Sequence, residues 1–599
     1  MNVITSVKHK FQNVISAASR YPLTLVFLII LGVYAAVMIE SEKLDNEKLY
    51  AALLIGTFLS VVAQQFYERF FVKPIERYSL MAATLLLTLL FYLFVLPEDT
   101  FVLELSIKTS VVLLALTLVY IWIPTIKNLL PFHANFLLAF RAFFITLLFT
   151  VVLIGGISLI IGAVDSLLFS VDDNFYLHVI NIVSTLFAPL FFLSFTPLFF
   201  GKKDVSLSTE QKKVRQEQLT AATSVSKLFN GLLSYVIIPL SAVFTVILFI
   251  YLIINIRSDF WSDNLLEPLL VSYSVETIIV YLLACNLSSP IAKWYNKVIP
   301  NILIPIVLLQ TVASILKISE LGMTHGRYYV ILFGIFATSA GIIFSFLPVQ
   351  KNSWIVPIFL ALSIVSITPS IDAFTVSRNN QEERLKSTLL NNDMLEKNSI
   401  RPDSSIAKKD KQSITRAVDY LQQTDYLQTI SWLPESLTTK DNFEDVFGFP
   451  RYWDEVPGEE NYPNVHFSNS GSQAIPIQDF DFLSLVYLSR FEDDSETPSD
   501  SLFSYQEKDY ILITEPSDKY YRFTLYEEGK ENGAPLLSVD PEEAFRTLLE
   551  KPPGTELSLK EAALPAYESD KARMQIIVIN LEASSTTSYA DLYLLIDIK

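Results

Sequence analysis

The sequence predicts a polytopic α-helical membrane protein of about 11 transmembrane helices, followed by a C-terminal soluble α+β domain containing a mostly antiparallel sheet. Three observations predict it. Apolar residues make up 51% of the chain, above the usual globular proportion, and they are concentrated before residue 372 in long runs broken by short polar loops. Basic residues in those loops alternate from side to side. The charge also divides at the same place, with 23 basic and 20 acidic residues in 1–371 against 22 and 42 in 372–599. So acidic a soluble part excludes nucleic acid as a partner, because phosphate backbones are held through Lys and Arg.

A bilayer core about 30 Å thick needs roughly 17 to 25 mainly apolar residues per helix. Eleven runs meet that length: Pro22 to Ile39, Leu49 to Phe66, Leu80 to Leu96, Leu105 to Trp122, Phe136 to Ala163, Leu177 to Phe200, Leu233 to Ile254, Pro268 to Leu287, Pro300 to Leu316, Tyr328 to Leu347 and Trp354 to Ile371. The first is followed by no small-residue cleavage site and reads as an uncleaved helix rather than a signal. With the N-terminus cytoplasmic, the inner segments hold residues such as Arg20, Arg69, Arg77, Lys202, Lys203 and Lys293, sixteen in all, against five in the outer loops. Basic loops stay on the cytoplasmic side. An odd number of spans then puts the C-terminal domain outside the membrane. Residues 1–20 carry Val3, Val7, Phe11 and Val14 at helical spacing among Lys8, Lys10 and Arg20, a basic amphipathic segment suited to the inner leaflet.

Beyond the last run, Ser377 to Glu396 reads as a polar helix, and residues 372–400 are expected to form a stalk that carries a domain of 401–599. A charged linker from Arg401 to Lys411 leads to helices at Ser413 to Gln423 and Asn442 to Phe447. The period then changes. Phe480 to Leu488, Tyr510 to Thr514, Lys519 to Tyr526, Gln575 to Leu581 and Asp591 to Ile598 are rich in strand formers, and Glu515 to Asp518 reads as a hairpin turn. Asp540, Pro541 and Glu543 have capping-box spacing and predict a helix start.

Arg20-Tyr21-Pro22-Leu23, the Phe136 to Gly156 run with Arg141 near its start, and Arg384-Leu385 through Asn391-Asn392-Asp393-Met394-Leu395 together resemble a bacterial membrane-protein family catalogued as domain of unknown function 4153. The resemblance implies a bacterial plasma (inner) membrane protein with many spans and a C-terminal soluble portion. It implies no catalytic residue.

Candidate chemistry therefore rests on polar groups within the spans, which cost at least a few kcal/mol to keep in hydrocarbon. Glu276 is the deepest charge, close to the midplane of the eighth run; it reads either as a proton or cation site or as a structural carboxyl bonded to hydroxyls such as Ser272 and Thr277. Lys108 near the outer end of the fourth run and Arg141 near the inner end of the fifth read as snorkelling anchors, with Lys108 retained as a candidate for a solute path. His178, with Asp165 and Asn181, is the remaining candidate polar cluster. Pro189, Pro239, Pro305 and Pro357 interrupt runs, which suits either discontinuous helices around a site or close packing. The histidines have no metal-ligand spacing, and no cofactor motif is present. His466 with Ser468, Ser470 and Ser472 makes no nucleophile elbow, and no Gly-rich phosphate loop occurs. Cys285 is the only cysteine and lies in a run, so the soluble part has no disulfide.

Two functions of different class follow. One is a permease-like carrier of a small solute or ion with an exterior accessory domain. The other is an envelope sensor or assembly protein whose exterior domain binds a protein or cell-wall component. Eleven spans exceed what anchoring requires and favour the first; the scarcity of polar residues within them favours the second.

Overall fold

The computed structural model describes residues 12–599 except 13, 42–45, 98–100, 128–129, 256–265, 397–398, 435–436, 438–441, 453–463, 468–476, 478, 492–498, 507, 517–520, 531–532, 552–554 and 584–586. Most of the amphipathic segment 1–20, the hairpin residues 517–518 and the three serines after His466 thus lie outside the described residues. Two compact units emerge, Met1–Tyr452 and Trp453–Lys599.

Among the described residues, the first unit contains eleven helices long and apolar enough to cross a membrane, numbered here as spans 1 to 11: Pro22–Glu40, Glu47–Phe70, Pro74–Phe94, Val102–Thr125, Phe132–Leu167, Asn174–Ser194, Lys227–Ile254, Glu267–Ala284, Pro290–Ser319, His325–Phe346 and Val349–Ile367. All eleven expected runs are there. Helical hydrogen bonding carries most of them beyond their apolar cores, because a backbone in hydrocarbon must satisfy its own polar groups. Pro22, Pro74 and Pro290 stand in first turns, where a missing N–H costs nothing.

Side-chain bonds between helix ends follow the alternation of the chain. At one end Arg20 meets Glu68, and Lys203 meets Tyr67. At the other, His178 meets Glu40, and Ser314 meets Glu267. These are called below the Arg20 end and the Asp372 end.

The packed centre is formed mainly by spans 4, 5 and 7 to 11, with Tyr273, Tyr281 and Tyr295 fully buried. Spans 9 and 10 approach so closely that a Cβ on Gly334 would stand 2.1 Å from Thr311 Oγ1 and one on Gly341 2.8 Å from Ile304. Small residues permit this approach.

The expected stalk is instead half of a packed cap. Helix Ala373–Asn391 buries Phe374, Leu385 and Leu389 against Ile414, Val418 and Leu421 of helix Lys408–Gln423, and Phe443, Phe447 and Phe449 close the same core. Phe101, just before span 4, Ile107 of span 4, and Tyr328 and Tyr329 of span 10 pack on it. The division between units accordingly falls after Tyr452, not at 401. A sequence with a sparse apolar stripe looks like a free helix until a partner supplies the other half of the core.

In the second unit, strands β4 (Phe482–Phe491), β12 (Thr587–Ile598), β11 (Ala572–Ala583), β3 (Asn464–His466) and β9 (Thr555–Glu556) lie side by side, with β10 (Tyr567–Glu568) also on β11. A second sheet has the order β5 (Ser499–Tyr505), β6 (Lys508–Pro516), β7 (Tyr521–Glu527) and β8 (Leu537–Val539). Among the described residues, and counting the short cap hairpin of β1 (Leu395–Glu396) and β2 (Ser399–Ile400), all pairings are antiparallel except β3 with β9. The fold class is as expected, and the alternation in the last strand buries Leu592, Leu594 and Ile596. The helix near Asp540 starts at Glu542, whose N–H is accepted by Asp540.

Candidate functional sites within the helix bundle

Glu276 stands at the middle of span 8, nine residues from Glu267 and eight from Ala284. Its carboxylate is half-buried and accepts a 3.1 Å hydrogen bond from Ser241 of span 7. Ser241 Oγ is also 2.8 Å from the hydroxyl of Tyr295 on span 9, so three spans meet at one hydroxyl. Of the expected hydroxyl partners, Ser272 is exposed and Thr277 is buried. No basic side chain lies within ion-pairing distance of Glu276 among the described residues. Among the described residues, then, Glu276 is held by hydroxyls and not by a salt bridge.

The backbone beside this cluster is irregular in a way the sequence only hinted at. Span 7 contains a π-helical turn at Leu233–Ile237, two residues before Pro239, and span 6 contains another at Val183–Phe187, two residues before Pro189. Proline lacks an N–H and its ring clashes with the carbonyl four residues back. Those carbonyls belong to Thr185 and Tyr235, inside the two π turns, where the wider coil makes room. Ser241 is one turn beyond the break in span 7. Both breaks lie roughly 6 to 11 residues from the Arg20 end of their spans, at about the same depth. Pro300 and Pro305 sit inside span 9.

Lys108 is not a snorkelling anchor. Its side chain is 4% exposed, with Nζ 2.6 Å from Glu104 and 3.4 Å from Asp372. Glu104 also accepts from the Tyr426 hydroxyl of the cap, and Asp372 caps helix Ala373–Asn391 through the N–H groups of Phe374 and Thr375. Every ionised group in this latch has a partner, as burial demands. Sequence reasoning missed Glu104, four residues before Lys108, and Asp372, because the cap that encloses them was taken for a stalk.

His178 and Asp165 do not meet. His178 Nε2 is 2.7 Å from Glu40 at the end of span 1, while exposed Asp165 accepts from the backbone of Val171. Asn181 donates to the Gly32 carbonyl. Arg141 donates to the carbonyl of Ser224, where the loop helix Thr209–Thr223 ends.

The stretches that carry the family resemblance are staples. Arg20 grips Glu68 at 2.9 and 2.6 Å and the Thr196 carbonyl at 2.7 Å, while Gln64 and Arg77 complete the network. Arg384 reaches Ser413, and Asn392 reaches Asp410, across the two cap helices.

A family model described as a domain of unknown function, DUF4153, matches residues 22–403, which takes in all eleven spans and the first cap helix. No curated protein and no solved structure matches the chain.

Proposed function

We propose a transport role for this chain, which belongs to the DUF4153 family: a permease-like protein of the bacterial plasma membrane that moves a proton or small cation, alone or with a solute. The observation that carries this reading is Glu276, an acid in mid-span bonded to the Ser241 hydroxyl of a second span, which is itself bonded to Tyr295 of a third, with no basic side chain in ion-pairing distance among the described residues. A carboxyl so placed exchanges a proton or desolvated cation at low cost, whereas a structural ion pair would hold it fixed. The break in span 7, one turn from Ser241, supports the same reading. Interrupted helices expose backbone groups and give a bundle a place to bend around a bound ion. The loop charges support a cytoplasmic N-terminus, with the second unit outside.

The test is ion flux in proteoliposomes loaded with a pH-sensitive dye, under an imposed membrane potential, for wild type and Glu276→Gln. The amide keeps the shape and the Ser241 contact, so the variant should be recovered at normal abundance and lose the flux. Equal flux in both would overturn the assignment of Glu276. Labelling of cysteines placed singly at Ser206 and Ser499, in a Cys285→Ala background, tests the orientation. An impermeant reagent should reach Ser499 alone; equal protection of both would refute it.

A further inference from the structure

Between spans 4, 8, 10 and 11, away from the Glu276 cluster, lies an apolar cleft of about 280 Å³. Phe333, Phe336, Phe359 and Leu362 form its wall, with Val111 and Val271 at its sides. Among the described residues, no acidic or basic side chain lines it. Its position along the spans is informative. Tyr329 is four residues from the start of span 10 and Phe336 eleven, which at about 1.5 Å per residue places them roughly 6 and 16 Å below the Asp372 end. On span 11, Ser366 and Phe359 lie one and eight residues from that same end. The cleft thus runs from the boundary to the midplane of a bilayer core about 30 Å thick, the depth of one leaflet.

Its polarity is graded in the same direction. The lower part is aromatic and aliphatic, while hydroxyls of Tyr329, Ser363 and Ser366 stand towards the boundary. Ser366 donates its proton to the Ser363 carbonyl. The Tyr329 hydroxyl is buried and makes no hydrogen bond to any described residue. A donor without an acceptor in so dry a place is costly, and such a group calls for a partner. Elsewhere on the same two spans, Ile335, Ile342 and Ile364 are each about half exposed on the bilayer-facing surface. The cleft itself is partly open, not a sealed void.

We propose that this cleft binds one acyl chain of a bilayer phospholipid from the leaflet at the Asp372 end, with a glycerol-ester carbonyl accepting the Tyr329 hydroxyl. The chain fills the aromatic lower part, and the ester sits where an acceptor is missing. The head group then lies beside the latch of Lys108 and Asp372, one turn above Val111 and six residues beyond Ser366. Bound lipid in this position packs spans 10 and 11 against span 4 and supports the docking of the cap.

The experiment uses the full chain in nanodiscs of phosphatidylglycerol doped with the same lipid carrying a nitroxide on one acyl chain. The wild type should give a motionally restricted spectral component equivalent to a single lipid per chain, which outlasts dilution by unlabelled lipid. Val330→Trp and, separately, Leu362→Trp fill the cleft and should remove that component. Ile335→Trp, on the bilayer-facing side of the same helix, should keep it. Tyr329→Phe deletes only the unpaired hydroxyl, so it should leave folding intact and speed lipid exchange several-fold. A restricted component that is absent in wild type, or equal in wild type and both filled variants, would mean ordinary annular lipid only and overturn the proposal.

Discussion

Lys108 offers the sharpest test of how the first unit is held together. Its ammonium bridges two buried carboxylates, at 2.6 Å from Glu104 and 3.4 Å from Asp372. Lys108→Met keeps the stem and removes the charge. The two carboxylates, both in contact with the lost ammonium, then face each other across about 6 Å at most. At an effective dielectric constant near 20, that repulsion is about 3 kcal/mol, within the 3–5 kcal/mol usual for stripping one partner from a buried pair. Thermal unfolding of the full chain in detergent, followed by size-exclusion of the surviving fold, should show a large loss at neutral pH. Glu104→Gln added to Lys108→Met should recover much of the deficit by removing one of the two charges. A Lys108→Met protein as stable as wild type, or a deficit that ignores the second change, would refute the latch.

Three further outcomes follow. Arg20→Lys cannot reproduce the two-pronged grip on Glu68 together with the Thr196 carbonyl, and should lower stability by about 2 kcal/mol in the same unfolding assay. In the second unit, burial and the neighbouring Asp481 carboxylate hold the Asp597 carboxyl above its ordinary range. The folded state then binds more protons than the unfolded one between the ordinary and the raised value, so this group's contribution falls as pH rises through that window. Asp597→Asn should flatten that dependence and slow hydrogen exchange in β11 and β12 at neutral pH; unchanged exchange would show the carboxyl is well accommodated. Expressed alone, a fragment starting at residue 453 should melt cooperatively with or without reductant, since it has its own core and no cysteine. One starting at 401 should aggregate, because Ile414, Val418 and Leu421 lose the helix Ala373–Asn391 that covers them. The opposite ranking would restore the boundary at 401.

The membrane spans were legible because run length is a one-dimensional property: the bilayer sets a minimum, and Pro22 through Ile367 meets it eleven times. The long strands were legible for the same reason, since Leu592, Leu594 and Ile596 alternate whatever they pack against. Short strands such as Leu537–Val539 carry no such signal and exist through their pairing with Phe523 to Leu525. The cap was misread because burial of Leu385 and Leu389 depends on residues some thirty positions away. The same dependence hid the latch: Lys108 alone, near a helix end, has the signature of a snorkelling lysine, and only the approach of Asp372 and Tyr426 makes it a buried pair. Glu276 was found from depth alone. Its link to Tyr295 through Ser241 depends on how three spans rotate, and no spacing reveals that. Pro189 and Pro239 were visible, but the shared placement of a π turn two residues before each was not.

If Glu276 exchanges a proton or cation in the middle of the bilayer, as proposed, dicyclohexylcarbodiimide should react with it. This apolar reagent enters hydrocarbon and modifies protonated carboxyls there. In proteoliposomes it should attach to the peptide containing Glu276, more slowly as pH rises or as a bound cation displaces the proton, and ion flux should fall in step with the modification. Glu276→Gln should escape the label. A Glu276 that stays unmodified at every pH, or is fully modified while flux continues unchanged, would contradict the account.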